Sequence, residues 1–240
     1  MPRPIVILPG YLAGAVEYRV LEQTLQTLGF PTVTVPLRWQ DWVPTIGGRS
    51  VAPILRILDR TVQQVLQQYD VPKVTLVGHS AGGWLSRIYL GEKPYCIHPT
   101  DAADCVWSAR DRVTTLITLG TPHTSLERWT RKNLDFVNLS YPGAFYADVR
   151  YVCVAGKAVY GVRGAALGEH RWRSWLAYSS YKLTCGQGNT WGDGITPIEA
   201  AHLDGAENLV LEGAMHSPRG NRVWYGSPGL LEQWASYLGE

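Results

Sequence analysis

One serine lies in a setting that suits a catalytic nucleophile. Ser80 is the middle residue of Gly78-His79-Ser80-Ala81-Gly82, which follows the apolar run 74–77 and precedes a helical pattern over 83–90. A hydroxyl is a weak nucleophile, so it must project from the backbone beside a base and beside amides that bind negative charge. The two glycines permit the sharp strand-to-helix turn that this requires. By chance, about one sequence in eight with this length and composition would contain such a Gly-x-Ser-x-Gly pattern. Further residues must therefore support the interpretation of Ser80 as a nucleophile.

Asp193 and His216 are the predicted partners of Ser80. A nucleophilic serine needs a general base within hydrogen-bond reach and an acid that orients this base. His216 follows the last predicted strand, and Asp193 lies in the glycine-flanked loop 192–194 before a short helical stretch. The chain order serine, aspartate, histidine is one of the established orders for a catalytic triad. Asp204, in a second Asp-Gly turn signal nearer the last strand, is the alternative acid.

The elements that must position these residues form an alternating pattern. Apolar runs predict buried strands, and amphipathic spacing predicts helices between them. The predicted strands are 5–8, 32–35, 74–77, 113–119, 151–155 and 208–211, and the predicted helices are 15–28, 51–69 and 83–90. This order indicates a three-layer α/β fold with about six mostly parallel strands and helices on both faces. Functional groups are then expected in loops after the carboxyl ends of the strands.

Length and composition predict one domain over residues 1–240, since 45% of the residues are hydrophobic. Two segments interrupt the alternation, at approximately 91–111 and 156–191, and we interpret them as cap or lid insertions. The chain has 10 Trp and 13 Tyr but only 3 Phe, and several of these rings fall in the second segment. Most should serve packing, while a lid that touches lipid or an apolar substrate is the alternative interpretation.

Charge and targeting signals exclude several classes of function. The formal net charge is +2 and no basic stripe occurs, so we predict no nucleic-acid partner. The sequence has no apolar stretch of 18 residues, and its first apolar run is too short for a signal peptide. We therefore expect a cytoplasmic protein, with peripheral contact at a membrane surface left open; the oligomeric state is not predicted.

The cysteines indicate neither a disulfide framework nor a metal centre. In a cytoplasmic setting the four thiols are expected to be reduced, with a Cys96–Cys105 pair across a short loop as the alternative. Cys96, His98 and Cys105 lack the paired spacing typical of metal ligands. No metal and no organic cofactor are predicted.

Taken together, the Ser80 pentapeptide, the Asp193 loop and the late His216 resemble the α/β-hydrolase superfamily over nearly the whole chain. The segments 119–123 (Leu-Gly-Thr-Pro-His) and 192–197 (Gly-Asp-Gly-Ile-Thr-Pro) are similar to lipase-like members. These members include relatives of the GPI-inositol deacylases and hydrolases of photosynthetic organisms. The hairpin that usually precedes the first parallel strand is missing, so the resemblance is to the minimal α/β-hydrolase fold of small bacterial lipases.

The resemblance also implies an oxyanion hole after the first strand. In the family this loop usually begins His-Gly, whereas Pro9 stands before Gly10 in this chain. The implied donors are the amides of Tyr11 and Ala81, with Leu12 as the alternative to Tyr11. Backbone donors tolerate a changed side chain, so the substitution leaves this role intact.

We therefore expect a serine carboxylic ester hydrolase that forms an acyl-enzyme and acts on small-molecule or lipid esters with apolar acyl groups. A thioesterase or acyltransferase with the same triad and a non-catalytic ligand-binding protein are the alternatives. His123, at the end of a predicted strand, and Trp191 are further predicted substrate contacts, although a structural role for His123 is left open. His79 is expected to be buried beneath the turn.

Overall fold

A computed structural model describes residues 2–98, 105–164, 169–220 and 222–238. The strands are β1 (Ile5–Leu8), β2 (Thr32–Thr34), β3 (Val74–His79), β4 (Val113–Leu119), β5 (Arg150–Lys157), β6 (Val159–Tyr160), β7 (Trp191–Gly192) and β8 (Glu207–Glu212). The α-helices are α1 (Arg19–Thr27), α2 (Ala52–Tyr69), α3 (Ala81–Leu90), α4 (Arg128–Ser140), α5 (Glu169–Cys185), α6 (Ile198–Ala201) and α7 (Pro228–Ala235).

Six strands form one parallel sheet in the order β2-β1-β3-β4-β5-β8. The prediction of a six-stranded α/β fold is confirmed. The apolar runs explain the burial, because successive side chains of a strand point to opposite faces. In β1, Ile5 and Ile7 enter one hydrophobic core while Val6 and Leu8 enter the other. Since all six strands run the same way, their carboxyl ends meet at one edge, where the site is expected.

Helices cover both faces of the sheet. Leu55 of α2, Leu85 of α3 and Leu134 of α4 belong to the core on one face. Leu25 of α1 and Trp234 of α7 belong to the core on the other face. The layers therefore follow from apolar stripes on the amphipathic helices α1 and α2, whereas α3 is buried along its whole length.

The structure also contains elements that the sequence pattern did not predict. The predicted helix 15–28 is divided into a 3₁₀ turn, Ala15–Tyr18, and α1. Helices α4, α5 and α7 were not predicted. In α4 only Asn133, Leu134 and Val137 are buried, so its apolar stripe is too narrow to give a strong periodic signal. Glu127 caps the N-terminus of this helix, because its carboxylate accepts hydrogen bonds from two amides of the first turn.

The two predicted insertions differ in structure. Residues 99–104 of the first lie outside the described chain; elsewhere in it, the amide of Tyr95 donates to the carbonyl of Cys105. All four cysteines are free thiols. The second contains the end of β5, the antiparallel pair β6 and β7, and α5. Tyr181 of α5 accepts a hydrogen bond from the amide of Gly194, so this insertion packs against the loop of Asp193.

No helix in the described ranges combines the length and the apolar character needed to cross a bilayer. The same ranges contain no cluster of three side chains that could hold a metal ion.

Candidate active site

Ser80 occupies a strained backbone conformation between β3 and α3. Its φ of 52° and ψ of −123° lie in a region that residues with a side chain rarely adopt. Hydrogen bonds fix this conformation: the Ser80 amide donates to the carbonyl of Leu119 at 2.9 Å, and Thr121 Oγ1 donates to the carbonyl of Ser80 at 2.8 Å. Both acceptor and donor come from β4 and the loop after it, so the neighbouring strand holds the turn in place.

Two glycines allow the turn to pack closely. A Cβ added to Gly82 would lie 2.3 Å from the carbonyl oxygen of Leu8, and one added to Gly78 would lie 2.6 Å from the backbone of Gly82. Neither approach is compatible with a side chain. The glycines of the pentapeptide are thus required by contacts with β1 and with α3.

His216 connects Ser80 and Asp193. Its Nε2 lies 3.0 Å from Ser80 Oγ, and its Nδ1 lies 2.7 Å from Asp193 Oδ2. A backbone hydrogen bond of 3.0 Å, from the amide of His216 to the carbonyl of Asp193, joins the two loops as well. The structure therefore brings together the three residues that the sequence predicts as a triad. Asp193 follows the short strand β7, after the excursion through β6 and α5.

Asp193 is buried and fully engaged. Tyr225 Oη donates to Oδ2 at 2.7 Å, and the amides of Ile195 and Thr196 donate to Oδ1 at 2.9 and 2.7 Å. Burial by itself would raise the pKa of Asp193, but His216 and these hydrogen bonds outweigh it and hold the pKa below its usual value. Asp193 is therefore an anion that orients the His216 ring. The alternative acid, Asp204, is exposed, and its carbonyl accepts from the amide of Ala144.

His79 lies beneath this site as the sequence predicts, and it completes a chain of hydrogen bonds. Its Nε2 is 2.8 Å from the carbonyl oxygen of His216, which can only accept, so Nε2 carries the hydrogen. Nδ1 then accepts from Tyr18 Oη at 2.6 Å, and Tyr18 Oη accepts from the amide of Gly10 at 2.9 Å. Burial, reinforced by the nearby His216, lowers the pKa of His79 to about 3, which keeps the ring neutral.

A comparison with known protein families assigns this architecture. Residues 3–155, more than half of the chain, match the family described as alpha/beta hydrolase fold. The chain belongs to the α/β-hydrolase fold family. This confirms the family to which the sequence motifs were compared. None of the curated proteins compared with the chain matches it significantly.

Solved structures resemble this α/β-hydrolase at low sequence identity. The lin2722 gene product of Listeria innocua is 12% identical, with a TM-score of 0.53 over 100% of this chain and 95% of that chain. Aspergillus fumigatus lipase B is 13% identical, with a TM-score of 0.43 over 65% of this chain and 37% of that chain. The Exiguobacterium antarcticum esterase is 20% identical, with a TM-score of 0.33 over 52% of this chain and 40% of that chain. The chain thus spans less than half the length of that lipase and that esterase, and the likeness to the Listeria protein shows the fold.

The loop after β1 carries the backbone donors that the family resemblance implies. It forms a turn in which the amide of Ala13 donates to the carbonyl of Gly10 at 3.0 Å, with Leu12 at a φ of 58°. Within the described chain the amides of Tyr11, Leu12 and Ala81 have no hydrogen-bond acceptor. Tyr11, Ala81 and Ser80 line one cavity, whereas Leu12 does not line it.

A salt bridge holds the outer side of this loop. Arg219 donates to the carbonyl of Leu12 at 3.1 Å and pairs with Glu17 at 2.7 Å. The other oxygen of Glu17 accepts from the amide of Gly14 at 2.7 Å. Because Arg219 lies three residues after His216, this contact ties the loop of the base to the loop of the candidate oxyanion donors.

The predicted substrate contact at His123 is wrong. Its side chain is 1% exposed and lies among Arg87, Thr118 and Cys153. Burial, with a further contribution from Arg87, lowers the pKa of His123 well below its usual value. The ring is thus a neutral component of the core, because the turn after β4 directs it inward. These contacts agree with the structural role that the sequence left open.

Trp191 is exposed on the short strand β7 and does not reach the cavities beside the triad. Its ring packs against Tyr160, with 5.4 Å between centroids, and the Lys157 ammonium lies 5.5 Å from the ring centre. It lines neither the cavity at Ser80 nor the cavity at His216. The antiparallel pairing of β6 and β7 explains this position, since it places Trp191 directly opposite Tyr160, and the two rings meet edge to face.

Two cavities flank the triad. The first has a volume of about 190 Å³ and is lined by Ser80, Ala81, Tyr11, Trp84 and Trp129, among others. The second has a volume of about 160 Å³ and is lined by His216 and the loop of Asp193 together with part of α5. Ser80 therefore borders the first cavity, and His216 borders the second, on the side of the insertion.

Sequence reasoning missed two tyrosines of the site. Tyr18 lies in the 3₁₀ turn that was predicted as the start of a regular helix, and Tyr225 follows His216 in a stretch without a predicted element. Neither position carries a motif. Their roles depend on hydroxyl groups that only the folded chain brings to Gly10 and to Asp193.

Proposed function

We propose that this protein is a serine carboxylic ester hydrolase, similar in chemistry to lipases and esterases, with Ser80 as nucleophile. The observation that carries the proposal is the position of His216, within hydrogen-bond distance of both Ser80 Oγ and Asp193 Oδ2. A neutral imidazole in this place serves as the base, and a buried carboxylate stabilises the imidazolium that forms. No step requires a metal or an organic cofactor.

The reaction proceeds in two halves. Ser80 Oγ attacks the ester carbonyl carbon while His216 Nε2 takes the hydroxyl proton, and the carbonyl π electrons move to oxygen. When the tetrahedral intermediate collapses, the bond to the leaving oxygen breaks and His216 returns the proton to that oxygen. A water molecule then attacks the acyl-enzyme, gives its proton to His216, and the acid leaves as Ser80 regains the hydrogen.

The amides of Tyr11 and Ala81 are the proposed oxyanion donors. Both border the cavity that Ser80 enters, and neither has an acceptor in the described chain. Oriented amides stabilise the developing charge because they need no rearrangement during the reaction, and loss of one donor typically costs about 10² to 10³ in rate.

The cavity at Ser80 is the proposed acyl site. Trp84, Val51 and Pro122 contribute apolar walls, and the Glu127 carboxylate in the lining is already bonded to two amides of α4. A volume of about 190 Å³ corresponds to about six water-sized groups. This supports an acyl group whose first few carbons lie within the cavity.

Peripheral contact with a lipid surface is part of the proposal. Trp129 lines the first cavity and Trp172 lines the second, and their side chains are 58% and 48% exposed. Exposed indole rings at the mouth of an apolar site suit an interface between water and lipid. Sedimentation of the inactive Ser80→Ala protein with neutral lipid vesicles tests this: additional Trp129→Ser or Trp172→Ser changes should weaken binding, and Trp39→Ser, at an exposed indole elsewhere, should not. Equal binding by all variants, or no binding at all, would contradict membrane contact.

Labelling with a fluorophosphonate probe tests the nucleophile. We expect stoichiometric labelling of the intact protein, none of Ser80→Ala and little of His216→Ala. Hydrolysis of short-chain nitrophenyl esters should fall by about 10⁶ in Ser80→Ala. Ser179→Ala is the matched control, since in the part of the chain that the structure describes Ser179 Oγ donates only to the carbonyl of Trp175 in its own helix. Unchanged hydrolysis by Ser80→Ala would refute the mechanism, and a preference for thioesters or for acyl transfer to an alcohol would reassign the same triad.

A further inference from the structure

His216 assigns the two cavities to different parts of an ester. The group that protonates the leaving oxygen must lie within hydrogen-bond reach of it, so the leaving alcohol extends past His216. The cavity at Ser80 then holds the acyl group. The second cavity, lined by His216 and Ser217 but not by Ser80, is on the side where the alcohol leaves.

Two guanidinium groups line this second cavity. Arg173, on α5, and Arg222, after the His216 loop, contribute to its wall, and neither forms an ion pair with an acidic residue in the described chain. Arg173 Nε is buried and has no hydrogen-bond acceptor in that part of the chain. A buried donor without an acceptor is costly, and an anionic ligand in this cavity would supply the acceptor.

The one acid that the described residues contribute to the wall does not compensate these charges. Asp193 is also part of the lining, but its side chain is fully buried and its oxygens already accept four hydrogen bonds, from His216, Tyr225 and two amides. Arg219 shows the contrast, because its guanidinium is paired with Glu17. The second cavity therefore combines two guanidinium groups that have no acidic partner in the described chain with apolar walls that include Leu176 and Trp172, the ring over which Arg173 lies.

Resting on the proposed function, we propose that the Arg173–Arg222 cavity binds a phosphate group carried by the leaving alcohol. The preferred substrates are then acyl esters of phosphorylated alcohols. A phosphate presents several acceptor oxygens and nearly two negative charges, which matches two planar guanidinium groups better than a neutral headgroup does. The cavity, with a volume of about 160 Å³, has room for a phosphate and for the short part of the alcohol that joins it to the ester oxygen.

Matched esters test the proposal. We expect kcat/KM for 1-butyrylglycerol 3-phosphate to exceed that for 1-butyrylglycerol by at least about tenfold, since one charge-assisted hydrogen bond has about this effect. The ratio should fall by about tenfold in Arg173→Gln and in Arg222→Gln, mainly through KM, and should decline as salt is added. Arg60→Gln, at an exposed position on α2, is the control and should keep the ratio.

A second arm distinguishes the source of the phosphate. The same glycerol phosphate headgroup is offered on a long-chain monoacyl ester in vesicles, beside its neutral monoacylglycerol counterpart. A phosphate preference in the vesicle arm assigns the alcohol to lipids, and a preference confined to the butyryl arm assigns it to soluble metabolites.

Failure of the pocket and failure of the chemistry give different results. Equal hydrolysis of the phosphorylated and neutral esters would overturn the phosphate site while ester hydrolysis stands. If neither ester is hydrolysed and the fluorophosphonate probe does not label Ser80, the proposed function is wrong. Calorimetric titration of Ser80→Ala with glycerol 3-phosphate then decides the pocket separately: binding that Arg222→Gln abolishes supports it, and absence of binding refutes it.

Discussion

His79 Nε2 donates a hydrogen bond to the backbone carbonyl of His216, with 2.8 Å between the two atoms. The residue that precedes the candidate nucleophile thus supports the loop of the candidate base. Tyr18 extends the contact from His79 to the amide of Gly10, next to the proposed oxyanion donor Tyr11. This one chain of hydrogen bonds fixes three parts of the site relative to each other: the turn of Ser80, the loop of His216 and the loop after β1.

Removal of the Tyr18 hydroxyl should impair both stability and turnover. Tyr18→Phe leaves the Gly10 amide and His79 Nδ1 without a partner, which costs about 1–3 kcal/mol of unfolding free energy. The loosened loops should lower kcat by about tenfold with little change in KM, because Tyr18 does not line either cavity. Urea denaturation and ester kinetics measure the two effects.

Tyr69→Phe is the matched control for this change. The Tyr69 hydroxyl has no hydrogen-bond partner in the described chain, so its loss should alter neither quantity. A Tyr18→Phe protein with the stability and kcat of the original would show that the chain of hydrogen bonds does not position the site.

The charge of Asp193 should contribute more to kcat than its hydrogen bond with Tyr225 does. Asp193→Asn removes the charge that orients His216 and is expected to lower kcat by about 10⁴. Tyr225→Phe removes only one of four hydrogen bonds to the carboxylate, so a loss of about tenfold is expected. Steady-state kinetics on a nitrophenyl ester measure both. A Tyr225→Phe loss as large as that of Asp193→Asn would mean that the phenol itself takes part in the reaction.

The sequence predicted the sheet and the triad because both leave local signals. Strands buried on both faces are continuous apolar runs, and Ser80 and Asp193 lie beside glycines that their turns require. His123 was misplaced because a residue at a strand end faces the cleft or the core according to the turn that follows, and the sequence does not encode this turn visibly. Tyr18 and Tyr225 were missed because each acts through a hydroxyl that reaches across the fold to a distant residue.

The glycines of the turn should be intolerant of a methyl group. Gly82→Ala places a Cβ 2.3 Å from the carbonyl oxygen of Leu8, a backbone atom that moves only with β1. We expect a loss of several kcal/mol, in the range that overpacking produces, measured by thermal or urea unfolding. Gly229→Ala is the matched control: nothing lies within 4 Å of its added Cβ, and it is the second residue of α7, so we expect no loss of stability. Tolerance of Gly82→Ala would contradict the close contact between the turn and β1.

Because two buried histidines are neutral in the folded protein, its stability should begin to fall at a pH well above the range in which carboxylates titrate. Burial lowers the pKa of His79 to about 3 and that of His123 well below its usual value. In the unfolded chain both histidines have a pKa of about 6.5. Below about pH 6.5 the unfolded state therefore binds more protons than the folded state, so stability is fully present above this pH and decreases as the pH falls. Each histidine contributes a slope of up to about 1.4 kcal/mol per pH unit, so the pair contributes up to about 2.8 kcal/mol per pH unit. Asp193 adds to the loss of stability only at lower pH, since its carboxyl has a pKa of about 3.9 in the unfolded chain.

Urea unfolding between pH 7.5 and 4.5 measures the slope of the unfolding free energy against pH. The His79→Gln change should reduce this slope by about half, even though it also lowers stability at neutral pH. An unfolding free energy that does not change over this interval would mean that both rings become protonated within the folded protein.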